Sequence, residues 1–272
     1  MLMGAGAVAA RATLRAVAAG RSAGALQRTN FRGRTVTLAA GPALAASAAV
    51  TSALGAASRP AGAAALVAGL GAGAVGLYDD VVGARPDQRD AKGFKGHLAA
   101  LRQGRITSGL VKIVGVGAAG LAASALLARE RPARSRFGRA VDVLLGAGVI
   151  AGTANLVNLL DLRPGRALKA GLLLGATLLH DGPGRLVAGP VGAAAAMLPP
   201  DLDERVMLGD SGANAFGAVL GVALASRTGP LGRAGLLATL TALTAASEKV
   251  SFTRVIERTP GLRELDALGR RD

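Results

Sequence analysis

Seven long stretches without a charged residue place the strongest constraint on how this chain can fold. They cover residues 35–58, 60–78, 113–128, 143–160, 186–200, 211–226 and 234–247. Several approach the roughly 20 residues that an α-helix needs to cross a bilayer. Because they consist mostly of Ala and Gly, each would insert only marginally alone, and we expect them to pack through close backbone contacts. A soluble Ala-rich helical protein is the alternative, but seven such stretches in one chain favour a membrane protein.

The overall composition supports a bilayer as the partner and argues against nucleic acid. Only 18% of the residues are charged, against about 25% in soluble domains. The net charge is +15, yet one Tyr and five Phe are too few for a base-stacking platform. Cytoplasmic loops rich in Lys and Arg explain the positive charge better. Cys is absent, which excludes disulfides and thiolate metal sites.

We predict an all-α, polytopic integral membrane protein of about nine transmembrane helices. The helices are expected at roughly 2–19, 36–57, 61–78, 106–128, 141–159, 166–179, 186–199, 211–226 and 231–248. The Arg-rich N-terminus has the composition of a targeting peptide as well, but we interpret it as a weak first span. Residues 1–248 form the membrane domain. Residues 249–272 form a charged cytoplasmic tail, either an amphipathic surface helix or an ordered cap.

The distribution of basic residues predicts the orientation. The segments 20–35, 79–105 and 249–272 carry four, six and six basic residues, and the helix count puts all three on one side. That side should be the cytoplasmic face of the plasma membrane. Segment 129–139 is also basic but falls on the other face, so either it contacts anionic lipid there or one span is misplaced.

Two adjacent acids end the uncharged stretch 60–78. Asp79 and Asp80 lie in the sequence GLYDDVVG and, on this topology, at a cytoplasmic helix end. Ionisable groups at membrane depth are costly and usually functional. The alternatives are that they cap the next helix or pair with Arg85 and Arg89 in the same loop.

A polar stripe lies on a later apolar helix. Asn155, Asn158 and Asp161 are spaced by three, which places them on one helical face. Polar groups on an apolar helix must face protein or ligand rather than lipid. A hydrogen-bonded seam between helices is the alternative to a binding site.

A third acid, Asp210, lies in MLGDSGANAFG between two glycines and opens a predicted helix. The glycines would let the backbone approach a phosphate, and helix N-terminal amides favour anions. Asp210 could hold Mg²⁺ against that phosphate, or it could be only the N-cap of the helix. The two roles are compatible.

Basic residues on the same predicted face supply partners for phosphates. They are Arg32, Arg34, Lys92, Lys95 and Lys112. Any cytoplasmic loop would carry similar residues, so no single one of them indicates a phosphate site. Only their occurrence together with the acids does. Acids for a divalent cation, bases for phosphate and a membrane scaffold together predict phosphoryl transfer involving a lipid phosphate.

The motifs NFRGR, GLYDDVVG, NLVNLLD and GDSGANAFG, in this order between about residues 30 and 221, resemble those of the polyprenyl-phosphate N-acetylhexosamine-1-phosphate transferases. That superfamily includes phospho-N-acetylmuramoyl-pentapeptide transferase and the bacterial GlcNAc-1-phosphate transferases. Its members use Mg²⁺ to transfer a sugar-1-phosphate from a UDP-sugar to a polyprenyl phosphate and release UMP. The resemblance implies envelope polysaccharide or peptidoglycan precursor synthesis, and because several members are dimers it leaves a homodimer open.

Matched to these motifs, the site residues divide by role. The resemblance implies catalytic roles for Asp79, Asp80 and Asp161, and Asp210 as the magnesium ligand. The substrate-binding residues that we expect are Asn155, Asn158, Lys112, Arg32, Arg34 and Asn214.

The chain also departs from the family pattern. The family follows its Asn/Asp motif with Gly-Leu-Asp-Gly, but here Pro164 replaces the second Asp, which puts uridine specificity in doubt. The late His cluster is missing, since His97 and His180 lie elsewhere, and so is a final span. These departures keep a second hypothesis open, a non-catalytic homologue that binds polyprenyl phosphate as a scaffold or regulator. A transporter is a third, less favoured because the acids cluster at one face rather than near the midplane.

Overall fold

The computed structural model describes residues 1–85, 93–131, 135–180 and 184–270, and it is almost entirely helical. The helices are α1 (Leu2–Ala18), α2 (Ala40–Gly55), α3 (Arg59–Val82), α4 (Gly93–Arg102), α5 (Ser108–Leu127), α6 (Arg136–Leu160), α7 (Arg166–Leu178), α8 (Gly184–Leu202), α9 (Gly209–Arg227), α10 (Pro230–Ser247), α11 (Phe252–Arg258) and α12 (Leu262–Ala267). Strands β1 (Gln27–Thr29) and β2 (Thr35–Thr37) form an antiparallel hairpin.

All nine predicted helices are present, with shifted ends. The change that affects the site concerns α3, which the side chain of Ser58 caps by accepting a hydrogen bond from the Ala61 amide. The helix continues to Val82, so Asp79 and Asp80 lie in its last turn rather than in the following loop. The hairpin and α4 were not predicted. The tail forms two short helices, α11 and α12, instead of one.

Three helices are long and apolar enough to cross a membrane. They are α3, α5 with its short 3-10 extension to Glu130, and α6, with mean hydropathies of 1.6, 2.0 and 1.8 over their most apolar 18 residues. Helix α2 is apolar but shorter. By length and composition, the described part of the chain therefore contains three candidate membrane spans.

Helix α9 lies at the centre of the bundle and packs against α2, α3 and α6. Nearly every residue from Ser211 to Ala225 is buried, and Phe216 is among the largest fully buried side chains. A helix that is buried on all sides has little freedom to shift, because interiors are close-packed. The position of α9 therefore fixes the position of Asp210 in its first turn.

The opposite end of α9 is held by a buried ion-pair cluster. Arg233 of α10 is 1% exposed and donates to the carbonyl oxygens of Ala225, at 3.1 Å, and Thr228, at 2.6 Å. Its guanidinium lies 3.6 Å from the Asp142 carboxylate of α6, which is also 3.5 Å from Arg131. Part of the unexpected positive charge of segment 129–139 is thus neutralised inside the protein.

Candidate functional site

Four helix ends bring four of the expected site residues together. The Lys112 Nζ of α5 lies 2.6 Å from Asp79 Oδ2 of α3 and 2.6 Å from Asp210 Oδ2 of α9. Asn158 of α6 donates through Nδ2 to Asp210 Oδ1 at 2.5 Å. Residues that are far apart in the sequence thus form one hydrogen-bonded cluster, which we call the acidic cluster: Asp79, Lys112, Asn158 and Asp210.

Asp80 has a different environment from its neighbour. Its Oδ1 accepts from the backbone N–H of Asp210 and its Oδ2 from that of Ser211, both at 2.9 Å. These amides lie in the first turn of α9, so the Asp80 carboxylate of α3 caps the N-terminus of a different helix. The amides expected to hold a phosphate are therefore already occupied by a protein carboxylate.

Two glycines make this close approach possible. Gly209 has φ +60°, a left-handed conformation that disfavours other residues, and a Cβ there would lie 2.8 Å from Asp80 Oδ1. A Cβ on Gly76 of α3 would lie 2.4 Å from the Asp210 carbonyl oxygen. The glycine pattern that suggested room for a phosphate instead makes room for contact between α3 and α9.

Asp161 lies just beyond the end of α6 and faces other acids. Burial raises the pKa of Asp161 well above its usual value, and the nearby charges of Asp201, Asp210 and Asp80 raise it further. A hydrogen bond from the Gly209 backbone only partly opposes this effect. Asp161 is therefore suited to hold a proton at a pH where an ordinary carboxyl would have lost it.

The acidic cluster opens into a cavity of about 720 Å³, which we call the acidic cavity. It is also lined by Arg28, Asp80 and Asp161. A second cavity, of about 420 Å³ and mostly apolar, adjoins it; we call it the apolar groove. Its walls come from α4, α5, α6, α9 and α10. Ile113, Val116 and Ala151 supply apolar surface, and Asn155, Asn214, Thr244 and Glu248 add polar groups. A polar chamber next to an apolar one can accept a ligand that has both a charged head and a hydrocarbon chain.

Arg32 and Arg34 do not reach the acidic cluster. Their guanidiniums lie 3.1 and 3.6 Å from the Glu204 carboxylate, between α8 and α9. The Asn30 side chain also donates to Glu204, whose backbone has a positive φ of 54°. These contacts tie the loop between β1 and β2 to the loop before α9. Sequence reasoning missed Glu204, since no motif singles it out.

The remaining expected residues are two asparagines and two lysines, and they lie in different places. Asn155 donates to Thr244 Oγ1 of α10 at 3.0 Å, an interhelical hydrogen bond, and it also lines the apolar groove. Asn214 donates to the Asp210 carbonyl at 2.7 Å and lines the apolar groove. Lys92 and the side chain of Lys95 lie outside the described residues. A cation that was not expected, Arg28 of β1, donates to the Asp80 carbonyl and lines the acidic cavity.

The tail contacts the loop between α6 and α7, which contains Pro164. Arg166 and Arg270 both bind the Asp266 carboxylate of α12, with Arg166 at 2.8 and 2.9 Å. Arg270 also donates to the Pro164 carbonyl at 2.8 Å. Burial opposes ionisation of Asp266, but the two guanidiniums outweigh it and lower its pKa. The tail thus holds the segment between α6 and α7 in place.

An exposed aromatic ring lies beside this loop. The Arg163 guanidinium stacks on the Phe31 ring, 4.3 Å from its centroid. Both residues line a small cavity next to Asp161 and Pro164. The hairpin loop and the loop after α6 therefore meet at the rim of the acidic cavity.

The described residues contain no group of three or more His, Cys, Asp or Glu side chains placed to hold a metal ion. Asp79 and Asp210 nevertheless share one cation, the Lys112 ammonium. No protein-family model, curated protein or solved structure matches this chain.

Proposed function

We propose that this protein is a membrane enzyme that transfers a sugar-1-phosphate from a nucleotide sugar, most simply a UDP-sugar, to a polyprenyl phosphate such as undecaprenyl or decaprenyl phosphate. UMP is the second product. The observation that carries the proposal is the acidic cluster at the mouth of the acidic cavity, next to the apolar groove. Transfer between a charged donor and a lipid acceptor needs such a pair of chambers. The four motifs, in the order of the superfamily, add support.

The helix directions support a single site at one membrane face. Asp79 lies at the C-terminal end of α3, Lys112 near the N-terminal end of α5 and Asn158 near the C-terminal end of α6. These are the three candidate spans, and ends of alternating direction meet at the same face when consecutive spans cross in opposite directions. We propose about nine spans in the plasma membrane with this face in the cytoplasm, where the basic segments lie. The product would serve envelope polysaccharide or peptidoglycan precursor synthesis.

In the proposed reaction, an oxygen of the lipid phosphate forms a bond to the β-phosphorus of the nucleotide sugar. The bond from that phosphorus to the bridging oxygen breaks, and UMP leaves with the electron pair. Lys112 neutralises charge on the phosphates, while Asp79 orients the lipid phosphate or takes its proton. Asp80 and Asn158 hold Asp210 in position. Catalysis by such a site is mainly positioning and neutralisation of charge.

Mg²⁺ fits the chemistry of these residues. Asp79 and Asp210 offer oxygen donors that already converge on one cation, and Mg²⁺ is usually held by one or two carboxylates together with substrate phosphates. Asp210 would hold the ion once Lys112 turns to the phosphates, and Asp79 would then face the lipid phosphate. Bound there, Mg²⁺ would neutralise the charge of the diphosphate.

A non-catalytic binder of polyprenyl phosphate is the second candidate, and the same lysine favours it. The Lys112 ammonium occupies the position shared by the two carboxylates. A protein that only binds a lipid phosphate needs the cation and the groove, but no divalent metal.

The deciding experiment measures UMP release by the purified protein in detergent, with Mg²⁺, undecaprenyl phosphate and a panel of UDP-sugars. Asp210→Asn is the test variant, and Glu257→Gln removes an exposed carboxylate of the tail as a matched control. Release that requires lipid, metal and Asp210, and that Glu257→Gln retains, supports the enzyme. Absence of release with UDP-, CDP- and GDP-sugars, from protein that binds undecaprenyl phosphate, refutes it in favour of the binder.

A further inference from the structure

His97 of α4 lies where the acidic cavity and the apolar groove meet. It lines both chambers, as do Gly109, Asn158 and Leu159. His97 was not predicted as a site residue, because it lies far in the chain from the late His cluster of the superfamily. The tertiary structure places it beside the acidic cluster.

The imidazole is anchored at the start of α5. Its Nδ1 lies 2.8 Å from Thr107 Oγ1, and the same hydroxyl accepts from the Leu110 amide at 3.2 Å as the N-cap of α5. Because Thr107 occupies Nδ1, Nε2 is the ring nitrogen that a ligand can reach.

Gly109 shows where the Nε2 edge of the ring lies. A Cβ at this position would be 2.4 Å from His97 Cε1 and 2.5 Å from Nε2, so the ring edge lies directly on the α5 backbone. Lys112 follows three residues later, on the same face of the helix. The imidazole and the ammonium therefore lie on one face of α5, between the polar and the apolar chamber.

We infer that His97 is a substrate-binding residue that contacts the phosphate group of the lipid acceptor. The hydrocarbon chain would occupy the apolar groove along Ile113, Val116 and Ala151. The phosphate would then emerge at His97 and Lys112, where hydrogen bonds to an anionic oxygen are strong. This inference rests on the proposed function, because it names the residue that holds the acceptor in the same site.

The test measures binding rather than turnover. Wild type and His97→Asn, both full-length in detergent, are titrated by native mass spectrometry with undecaprenyl phosphate, undecaprenol and inorganic phosphate. The shorter Asn amide can reach Thr107 as Nδ1 does but has no donor at the Nε2 position, so His97→Asn should bind undecaprenyl phosphate about tenfold more weakly, as expected for one lost hydrogen bond to a charged group. Its affinity for undecaprenol should be unchanged, and His180→Asn, which alters an exposed histidine, should behave as wild type.

A second variant moves the ring without removing it. Gly109→Ala would push His97 off α5 and should weaken binding of undecaprenyl phosphate to a similar degree. Gly117→Ala lies on the same helix with open space at its Cβ and should have no effect. The melting temperatures of Gly109→Ala and Gly117→Ala are measured alongside their affinities. If His97→Asn fails to fold, this pair decides the inference.

Several results would overturn the inference. They are unchanged affinity of His97→Asn and Gly109→Ala for undecaprenyl phosphate, an equal loss for undecaprenol, or inorganic phosphate competing as well as the lipid. The failure of the proposed function is a separate result. Wild type that binds undecaprenyl phosphate through His97 but releases no UMP with any nucleotide sugar supports the inference and refutes the enzyme.

Discussion

Asp79 and Asp80 are adjacent in sequence, yet their replacement by Asn should have different consequences. The Asp80 carboxylate accepts two backbone hydrogen bonds at the start of α9, both at 2.9 Å. Asn has one acceptor oxygen, so one amide of α9 would face an NH₂ group. Loss of a hydrogen bond to a charged group costs about 1.5–3 kcal/mol, and loss of a negative charge at a helix N-terminus adds about 0.3–1 kcal/mol. Asp80→Asn should therefore cost about 2–4 kcal/mol.

Asp79→Asn should cost much less. Its partner Lys112 remains paired with Asp210, and Asn can still accept a hydrogen bond from the lysine. The change removes charge but no helix cap, which corresponds to about 1 kcal/mol. If the proposed function holds, UMP release should nevertheless fail in this variant, because the group that faces the lipid phosphate is lost.

Thermal unfolding in detergent separates the two variants. In a chain of this size, 1 kcal/mol shifts Tm by about 2–4 °C. Asp80→Asn should melt at least about 5 °C below wild type, and Asp79→Asn within about 4 °C of it. Hydrogen exchange at the amides of Asp210 and Ser211 should increase only in Asp80→Asn. Equal melting temperatures, or the reverse order, would contradict the capping role of Asp80.

Three further predictions concern acids around the site. The fold raises the pKa of Asp161 above 3.8, so ionisation of this carboxyl opposes folding, and the stability of the protein falls as pH rises from about 4 towards the folded-state pKa. Asp161→Asn should therefore have a higher melting temperature than wild type at about pH 7.5. At about pH 4 the two melting temperatures should be equal. The pKa of Asp266 is lowered, so docking of the tail is stable above pH about 4 and is lost on acidification; Asp266→Asn should reproduce that loss at neutral pH as faster tryptic cleavage within the tail, whereas Glu257→Gln should not. Glu204→Gln removes the shared partner of two partly exposed arginines and should raise hydrogen exchange in the β1–β2 loop, with about 1–2 kcal/mol lost. Unchanged exchange there would exclude a structural role for Glu204.

The helices were predictable because the signals for them are local. Stretches without charge, Gly and Pro at turns, and capping residues such as Ser58 and Thr107 act within a few residues of one another. The β1–β2 hairpin was missed because its stability depends on partners from elsewhere, above all Glu204. Helix α4 was missed because it is a short amphipathic helix within a basic connection.

The candidate site was predictable in its members but not in their contacts. Spacing shows that Asn155 and Asn158 share a face of α6, but not that one meets Thr244 of α10 while the other meets Asp210 of α9. The rotation of each helix about its axis decides this, and it results from packing along the whole interface. His97 shows the converse case, since a residue with no motif of its own lines the site after folding.

The sequence by itself therefore determined that the chain forms apolar, Ala- and Gly-rich helices and that a few acids and amides lie at their ends. Burial of polar groups without partners is costly, so those residues had to meet each other or a ligand. Only the tertiary structure decided which of these residues contact each other. In the fold, the Asp210 and Ser211 amides of α9 donate to Asp80, and Lys112 pairs with Asp79 and Asp210. A hydrogen bond forms only with a partner that packing brings within about 3 Å. Here that partner belongs to another helix, so the local sequence does not identify it.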